Sequence, residues 1–415
     1  MSETADAVIV GGGVIGTSIA YYLARKGYGN IVLLERDSLA SGSTGRSVAT
    51  IDFVTLHPEA VELYARSSTF FSHCDELLGA ECGFVETGSI IAAGPDKMGV
   101  LINAVRLLSD AGVEVESLSL DALARLEPMV SVDGLAAASY APHAGYADPV
   151  LTTQAFAGAA KRLGVQIRQG QTVTGIQHLG NRNYTVETAN GVPGDGVPGD
   201  GVRADGGHAY HSIESPTVIV AAGAWSTGLL QTIGINLDMQ PVRHPVVCLR
   251  RPEDFGPAHH SLLDLTTGIY ARPEGSDLTL AGSIDPHVSY DPTSPDDILD
   301  TVEDDYVFWT MERLVHRYPT LLASEICRGW AGVMTVIPDW QPIIGNWADK
   351  PGLYCAAGFS GRGFQISPSV GDLLASLVVG EEKAAAYLEP FSPSRFAAGQ
   401  TAQSGKINDG CGLMG

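Results

Sequence analysis

The chain has 415 residues, 45% hydrophobic and 17% charged, which is the composition of an ordered globular protein long enough for two domains and a large core. Acidic residues outnumber basic ones 47 to 25, and a net charge of -22 without any Lys/Arg cluster argues against nucleic acid or an anionic membrane surface as partner. Cys74, Cys82, Cys248, Cys327, Cys355 and Cys411 are scattered without a CxxC pair and read as reduced thiols of a cytoplasmic protein.

In chain order, "DAVIV", a glycine cluster, a helical pattern through Ile19 and Leu23, and "NIVLLE" form a βαβ start with a parallel sheet buried on both faces. Glu3 and Asp6 stand where a signal peptide would be basic, so none is expected, and no apolar run reaches membrane-spanning length. A helix is predicted over about 58–78, a strand at "GSIIAAG", and helices over roughly 96–127. Strands follow between 165 and 223, interrupted by the imperfect repeat "GVPGDGVPGDGVRADGG", which reads as a solvent-exposed insertion. Short strands between 240 and 290 predict an antiparallel sheet, and a long acidic helix is expected over about 295–318. The His259-His260 pair has no partner at metal-ligand spacing, so no metal is expected. The last residues are polar and glycine-rich and predict a frayed tail, and Cys411 is misplaced for a prenylation box.

Gly11-x-Gly13-x-x-Gly16 follows the first strand and opens the first helix, with Glu35 at the end of the second strand. In a dinucleotide site Gly11 makes the tight turn, Gly13 admits a pyrophosphate to the backbone, and Gly16 lets helix and strand approach. The helix start offers free N–H groups to phosphates. Glu35 suits a ribose diol and disfavours a 2′-phosphate despite the adjacent Arg36. This loop alone does not separate NAD from FAD. Ser43, Thr44, Arg46 and Ser47, in the small-residue loop after "LLERD", suit a longer cofactor or, alternatively, a surface turn. Ala222 and Gly223, ending "TVIVAAGA", suit backbone packed on a cofactor or tight sheet packing.

A second glycine-rich helix start, "GFSGRGFQISPSVGDLL", lies far downstream. Ser367 reads as its N-cap and Pro368 as the first helical residue.

With "VIVGGGVIG", "LLERDSLASGSTGRS", "VIVAAGAWS", "RGWAGVMTVIPDWQPIIG" and "GFSGRGFQISPSVG" together, the chain resembles the D-amino-acid oxidase-like superfamily of FAD-dependent oxidoreductases from Asp6 to about Gly380. Its nearer branches resemble sarcosine oxidase β-subunits, dimethylglycine dehydrogenases and D-amino-acid dehydrogenases. The resemblance implies an α/β Rossmann-like FAD-binding domain (1–82, 146–238 and 328–390). It implies also an α+β substrate domain with an antiparallel sheet (83–145 and 239–327), and leaves 391–415 as a flexible tail. It assigns to FAD the first loop with Val14 and Ile15, then Glu35 and Arg36, the Ser43–Ser47 loop, Val173, and Ala222, Gly223 and Trp225. It adds Gly361, Arg362, Gly363, Phe364 and Gln365, whose helix would point positive charge at the flavin's pyrimidine edge, where negative charge appears on reduction.

Relatives with covalent flavin use a cysteine or histidine at the positions of Gly332 and Arg46, so the resemblance implies non-covalent FAD. Sarcosine oxidase β-subunits place an oxygen-activating lysine where Gln365 stands, which favours a dehydrogenase over an oxidase. Ala331 stands where glycine oxidase and D-amino-acid dehydrogenase carry a carboxylate-binding arginine. Tyr270 and Arg272 share one strand face and, by the resemblance, face the flavin; Arg272 reads equally as a surface charge. With Gln365 they are the catalytic candidates. His57 and His244 are possible bases, more readily read as structural.

The expectation is oxidation of a C–N bond in an amino acid or secondary amine by hydride transfer to flavin, with oxygen, a quinone or an electron-transfer protein as acceptor. A peroxide-producing oxidase and an FAD-bearing subunit needing partner chains are the alternatives.

Overall fold

The computed structural model describes residues 3–55, 57–190 and 210–396. The GVPGD repeat, Cys411 and the chain from residue 397 on lie outside the described residues.

Short runs of β-branched and leucine residues build the central sheet. Every residue of Ala7–Val10, Ile31–Leu34 and Val218–Val220 is buried, as parallel strands are when helices cover both faces. Among the described residues the sheet runs Gln166–Arg168, Ile31–Leu34, Ala7–Val10, Val218–Val220, Leu353–Ala357 and Ile343–Asn346, with only the last pair antiparallel. The strands ending at Val10, Val220 and Ala357 are therefore parallel neighbours. The loops that follow them, at Gly11, Ala221 and Gly358, emerge on one edge of the sheet, where open α/β folds bind ligands.

Two helices reinforce that edge. Val14–Arg25 and Gly363–Val378 touch where Ser18 Oγ donates to the Ser367 carbonyl at 2.8 Å, and a Cβ on Gly371 would collide with Ser18. Chain segments hundreds of residues apart thus bring both helix starts to one place.

A second sheet is antiparallel at all but one pairing. Its order is Asp291–Pro292, Gln240–Arg250, Leu278–Ser283, Ile269–Glu274, Ser261–Asp264, Ser89–Ala93, Ala137–Ala141 and Glu116–Leu118. Glu325–Val336 pairs with Gln240–Arg250 on both sides of the expected 327/328 division, with one register shift there, where Arg328 pairs with Cys248 and Ile326 with Leu249. The helix Asp304–Arg317 is pinned to this sheet by a fully buried ion pair, Arg317 Nε to Asp264 Oδ2 at 2.8 Å.

Several expected elements are corrected. The helix over 58–78 is a turn at Pro58–Ala60 and two helices, Val61–Phe71 and Cys74–Leu78, broken at Ser72 and His73. The 96–127 stretch is Met98–Asp110 and Leu120–Leu126 separated by the strand Glu116–Leu118, because the chain reverses at Gly112 with φ +86°. The acidic helix begins at Asp304, not near Pro295: the preceding segment is held out by Asp296, which binds Arg36 and Trp225. The downstream glycine-rich helix begins at Gly363 with Arg362 at its N-cap, so Ser367 and Pro368 lie inside it. The turn at Ser360 (φ +48°) and Gly361 (φ +88°) starts the helix early, and Pro368 removes only the one backbone bond that would reach the Phe364 carbonyl. The chain from Phe391 to Phe396 is packed rather than frayed, since Phe391 is fully buried and Arg395 pairs with Asp339 at 2.8 Å.

Candidate active site

One cavity of about 1170 Å³ runs along the carboxyl edge of the parallel sheet and under the second sheet. Its nucleotide-type end is made largely of backbone. Gly11 has φ +113°, and a Cβ there would strike the Ala221 carbonyl, so no other residue fits the turn. Gly16 does not line the cavity; a Cβ on it would overlap the Gly11 carbonyl, which is the helix–strand contact expected of it. The first helix turn carries no acid, leaving its positive end open. Thr44 Oγ1 accepts from Val14 N at 3.2 Å, binding the Ser43–Ser47 loop to that helix start.

Glu35 is fixed by two backbone donors, Gly12 N at 2.7 Å and Asp37 N at 2.8 Å, one on each carboxylate oxygen. Each oxygen keeps a lone pair for a diol. Beyond it, Arg36 lies 4.5 Å over the Trp225 ring, and Asp296 accepts from both Arg36 and Trp225 Nε1 at 2.8 Å. Val173, Ala222 and Gly223 complete this end.

The middle of the cavity receives Ser47, Arg46 and the second helix start. Arg46 donates to the Ser41 carbonyl at 2.6 Å, and its own carbonyl accepts from Trp330 Nε1 at 2.9 Å. Gly332 faces Arg46, since a Cβ on it would come 3.1 Å from Arg46 Cβ. Neither position offers a nucleophile to a flavin. Gly361, Arg362, Gly363, Phe364 and Gln365 all line the wall, with the unbonded N–H groups of the Gly363 helix start among them.

The far end is built from side chains. Tyr270 lies across Gly282, and its hydroxyl sits 3.2 Å from His244 Nε2 with the rings nearly parallel. Tyr290 packs on both His244 and Trp340, continuing an aromatic wall. Burial lowers the His244 pKa to about 4, so the imidazole is neutral, and burial raises that of Tyr270 well above its ordinary value. Asp52 closes the wall: burial raises its carboxyl to about 6, offset in part by hydrogen bonds from Val54 and Gln365 and by the Arg362 charge. Trp340, at φ +60°, presents its carbonyl to Arg362 at 2.9 Å.

Of the catalytic candidates, Tyr270 and Gln365 reach the cavity and Arg272 does not. Arg272 is buried behind the wall, donates to the Val48 carbonyl at 2.5 Å, pairs with Glu274 and stacks on Tyr146, so both expected placements, facing the flavin and at the surface, are corrected. Gln365 has its carbonyl oxygen occupied by Asp52 N (3.1 Å) and Phe53 N (3.3 Å). His57 stays outside, 3.4 Å from Glu59. His260 binds Glu127 and His259 binds Thr279, in keeping with a structural pair. Among the described residues Cys74, Asp75 and Cys82 bring ligand-type atoms within 4.8 Å of one another, away from the cavity.

Comparison with known proteins agrees with this architecture. The family described as FAD dependent oxidoreductase (DAO) matches residues 6–377. The chain belongs to the DAO family. It is an FAD-dependent oxidoreductase of that family, with the DAO-type FAD-binding fold. It is 26% identical to human mitochondrial sarcosine dehydrogenase over 91% of this chain but only 40% of that protein. It is 26% identical to glycine oxidase of Geobacillus kaustophilus over 95% of this chain and 98% of that protein. The crystal structure of L-proline dehydrogenase from P. horikoshii superposes with a TM-score of 0.81 at 25% identity, over 96% of this chain and 99% of that one. The chain thus spans under half of the human relative and nearly all of the two shorter ones.

The cavity's polar groups fit FAD as the family implies: the Glu35 carboxylate would accept from the ribose hydroxyls, the Gly11–Ile15 helix start would donate to the pyrophosphate, and the Gly363 helix start would donate to the flavin ring. Sequence reasoning missed Asp52, Tyr290 and Trp340. The available signal for Asp52 was one acid inside the apolar run "SVATIDFVTL" directly after a cofactor loop.

Proposed function

We propose that the protein is a dehydrogenase that oxidises the C–N bond of an amino acid or secondary amine. Bound FAD supplies the hydride acceptor, and the protein's part is to hold a neutral amine with its C–H against it. Positioning of this kind needs no obligatory protein base beyond one that keeps the amine unprotonated. FAD is held without a covalent bond in this reading, supported by Gly332 and Arg46 at the two candidate attachment points.

One observation carries the dehydrogenase assignment: among the described residues no lysine lines the cavity, and neutral Gln365, committed to two backbone N–H groups, stands at the helix start. A lysine in place of Gln365 would add a cation to those of Arg46 and Arg362 and stabilise superoxide forming beside the flavin; an amide adds none. The relatives' names include both dehydrogenases and oxidases, so the acceptor is part of the proposal. A cytoplasmic location belongs to the same reading, supported by the described cysteines all being free thiols. No helix among the described residues is long and apolar enough to cross a membrane.

The test is anaerobic titration of the purified yellow protein with D- and L-amino acids and N-methyl amines, followed by admission of oxygen. Bleaching by one compound and slow reoxidation by oxygen, with fast reoxidation by a quinone or electron-transfer protein, is the expected result. Fast reoxidation with stoichiometric peroxide would replace it with an oxidase. A flavin that no compound bleaches until other chains are added would assign the chain to a larger assembly.

A further inference from the structure

Asp52 is a carboxylate on the cavity wall beside the Gly363 helix start, and none of the cofactor-binding roles above employs it. Its loop is held from several sides. Gln365 accepts the Asp52 and Phe53 N–H groups, Val54 N donates to Asp52 Oδ1 at 3.2 Å, and Phe53 is buried with φ +55°. A non-glycine residue in that conformation persists only where its surroundings enforce it, and such positions concentrate at functional sites. The structure therefore invests backbone strain and a buried glutamine in presenting one acid to the cavity.

Gln365 is the polar amide that touches that acid's loop. The charged and titratable groups facing Asp52 are the Arg362 guanidinium at the Gly363 helix start and the Tyr64 hydroxyl from the helix Val61–Phe71. Tyr290 and Trp340 supply ring faces on the same cavity wall. A cavity lined by both a carboxylate and aromatic faces offers the chemistry that receives an organic ammonium, by charge-assisted hydrogen bonds and cation–π contact.

Resting on the reading of the chain as an amine oxidoreductase, we propose that Asp52 is the subsite for the substrate's cationic nitrogen, pairing with the ammonium and taking its proton. In that transfer one N–H bond breaks and one O–H bond forms on the carboxylate. An ion pair becomes a neutral pair, and no electrons move. Desolvation favours the direction, because it raises the proton affinity of the acid and lowers that of the amine. Gln365 acts as the positioning residue, through the two N–H groups it holds.

The experiment uses the FAD-loaded protein and Asp52→Asn, with Asp52→Glu as the rescue variant. Tetramethylammonium, which has no N–H to lose, reports charge recognition through perturbation of the flavin spectrum, and a reducing amine reports the full site. Asp52→Asn is expected to keep its FAD and to bind both cations on the order of 10- to 100-fold more weakly, with Asp52→Glu recovering part of the loss. Wild-type affinity should fall as pH drops through about 6, and the Asn variant should lack that dependence. Equal affinities and equal pH profiles in wild type and Asp52→Asn would overturn the assignment while leaving amine oxidation intact. A colourless Asp52→Asn would overturn it in favour of a role in holding FAD. A wild-type flavin that no amine perturbs would overturn the amine reading and this one together.

Discussion

The two ends of the cavity are made differently. The nucleotide end is backbone: glycines without side chains, helix-start N–H groups, and an acid fixed by Gly12 and Asp37. The amine end is side chains from separate loops and strands, namely Asp52, His244, Tyr270, Tyr290, Trp340 and Arg362. A backbone site tolerates no added atom but accepts one ligand shape in many proteins. A side-chain site is retuned by single substitutions, which is where members of one family can come to differ in substrate.

The largest test of that contrast is Gly11→Ala. A left-handed φ costs on the order of 1–3 kcal/mol for a side chain, and the methyl group also meets the Ala221 carbonyl. FAD affinity should fall by about 100-fold or more, read by titrating apoprotein with FAD; an alanine variant that stays yellow at micromolar protein would refute the backbone account of this end.

Arg272→Met separates support from chemistry at the other end. Removing the Val48, Pro273 and Glu274 bonds and the Tyr146 stack should cost on the order of 3 kcal/mol of stability. The amine dissociation constant should stay within about threefold, since charge recognition is worth far more when direct. A large rise in that constant at unchanged stability would place Arg272 in contact with substrate after all.

Asp52→Asn should stabilise the fold at the expense of binding. The folded carboxyl titrates near 6, above its ordinary 3.8. The folded state thus holds the proton more tightly than the unfolded one, and the charged form costs stability at neutral pH. The Asn variant should be more stable than wild type by on the order of 2 kcal/mol at pH 8, with the gap closing as pH falls from about 6 towards 3.8. Buried His244 and His259 act oppositely, each lowered from 6.5 to about 4. Their stabilisation is complete above 6.5 and is lost as pH falls through that window towards 4, in both proteins. Denaturant melts at a series of pH values measure both effects.

Trp225→Ala is the mildest. It removes the bond to Asp296 and the platform under Arg36, and should weaken FAD about tenfold while leaving the rate of flavin reduction unchanged in rapid-mixing experiments.

Legibility in the sequence followed the same division. Gly11, Gly13, Gly16 and Glu35 are readable because strand, turn, helix and acid fall within one short βαβ unit, where spacing alone dictates geometry. The start of the downstream helix was misplaced by one turn because Ser367-Pro368 is a good local start signal, and it was overruled by the Ser360–Gly361 turn and by packing on Ser18. The helix over 295–318 was overextended because Asp296 is drawn out by Arg36 and Trp225, contacts no local pattern records.

By itself, then, the sequence determined the parallel sheet and the dinucleotide-type loop through short-range spacing and hydrophobic period, and the family and FAD through the resemblance that five separate motifs carry together. Tertiary structure alone decided that Arg272 serves the wall rather than the cavity, that Gln365 holds a backbone loop, and that Asp52 lines the same cavity as Tyr290 and Trp340. Those outcomes depend on which side chains converge across sheets and loops, and convergence is set by packing between distant segments rather than by any residue's neighbours in the chain.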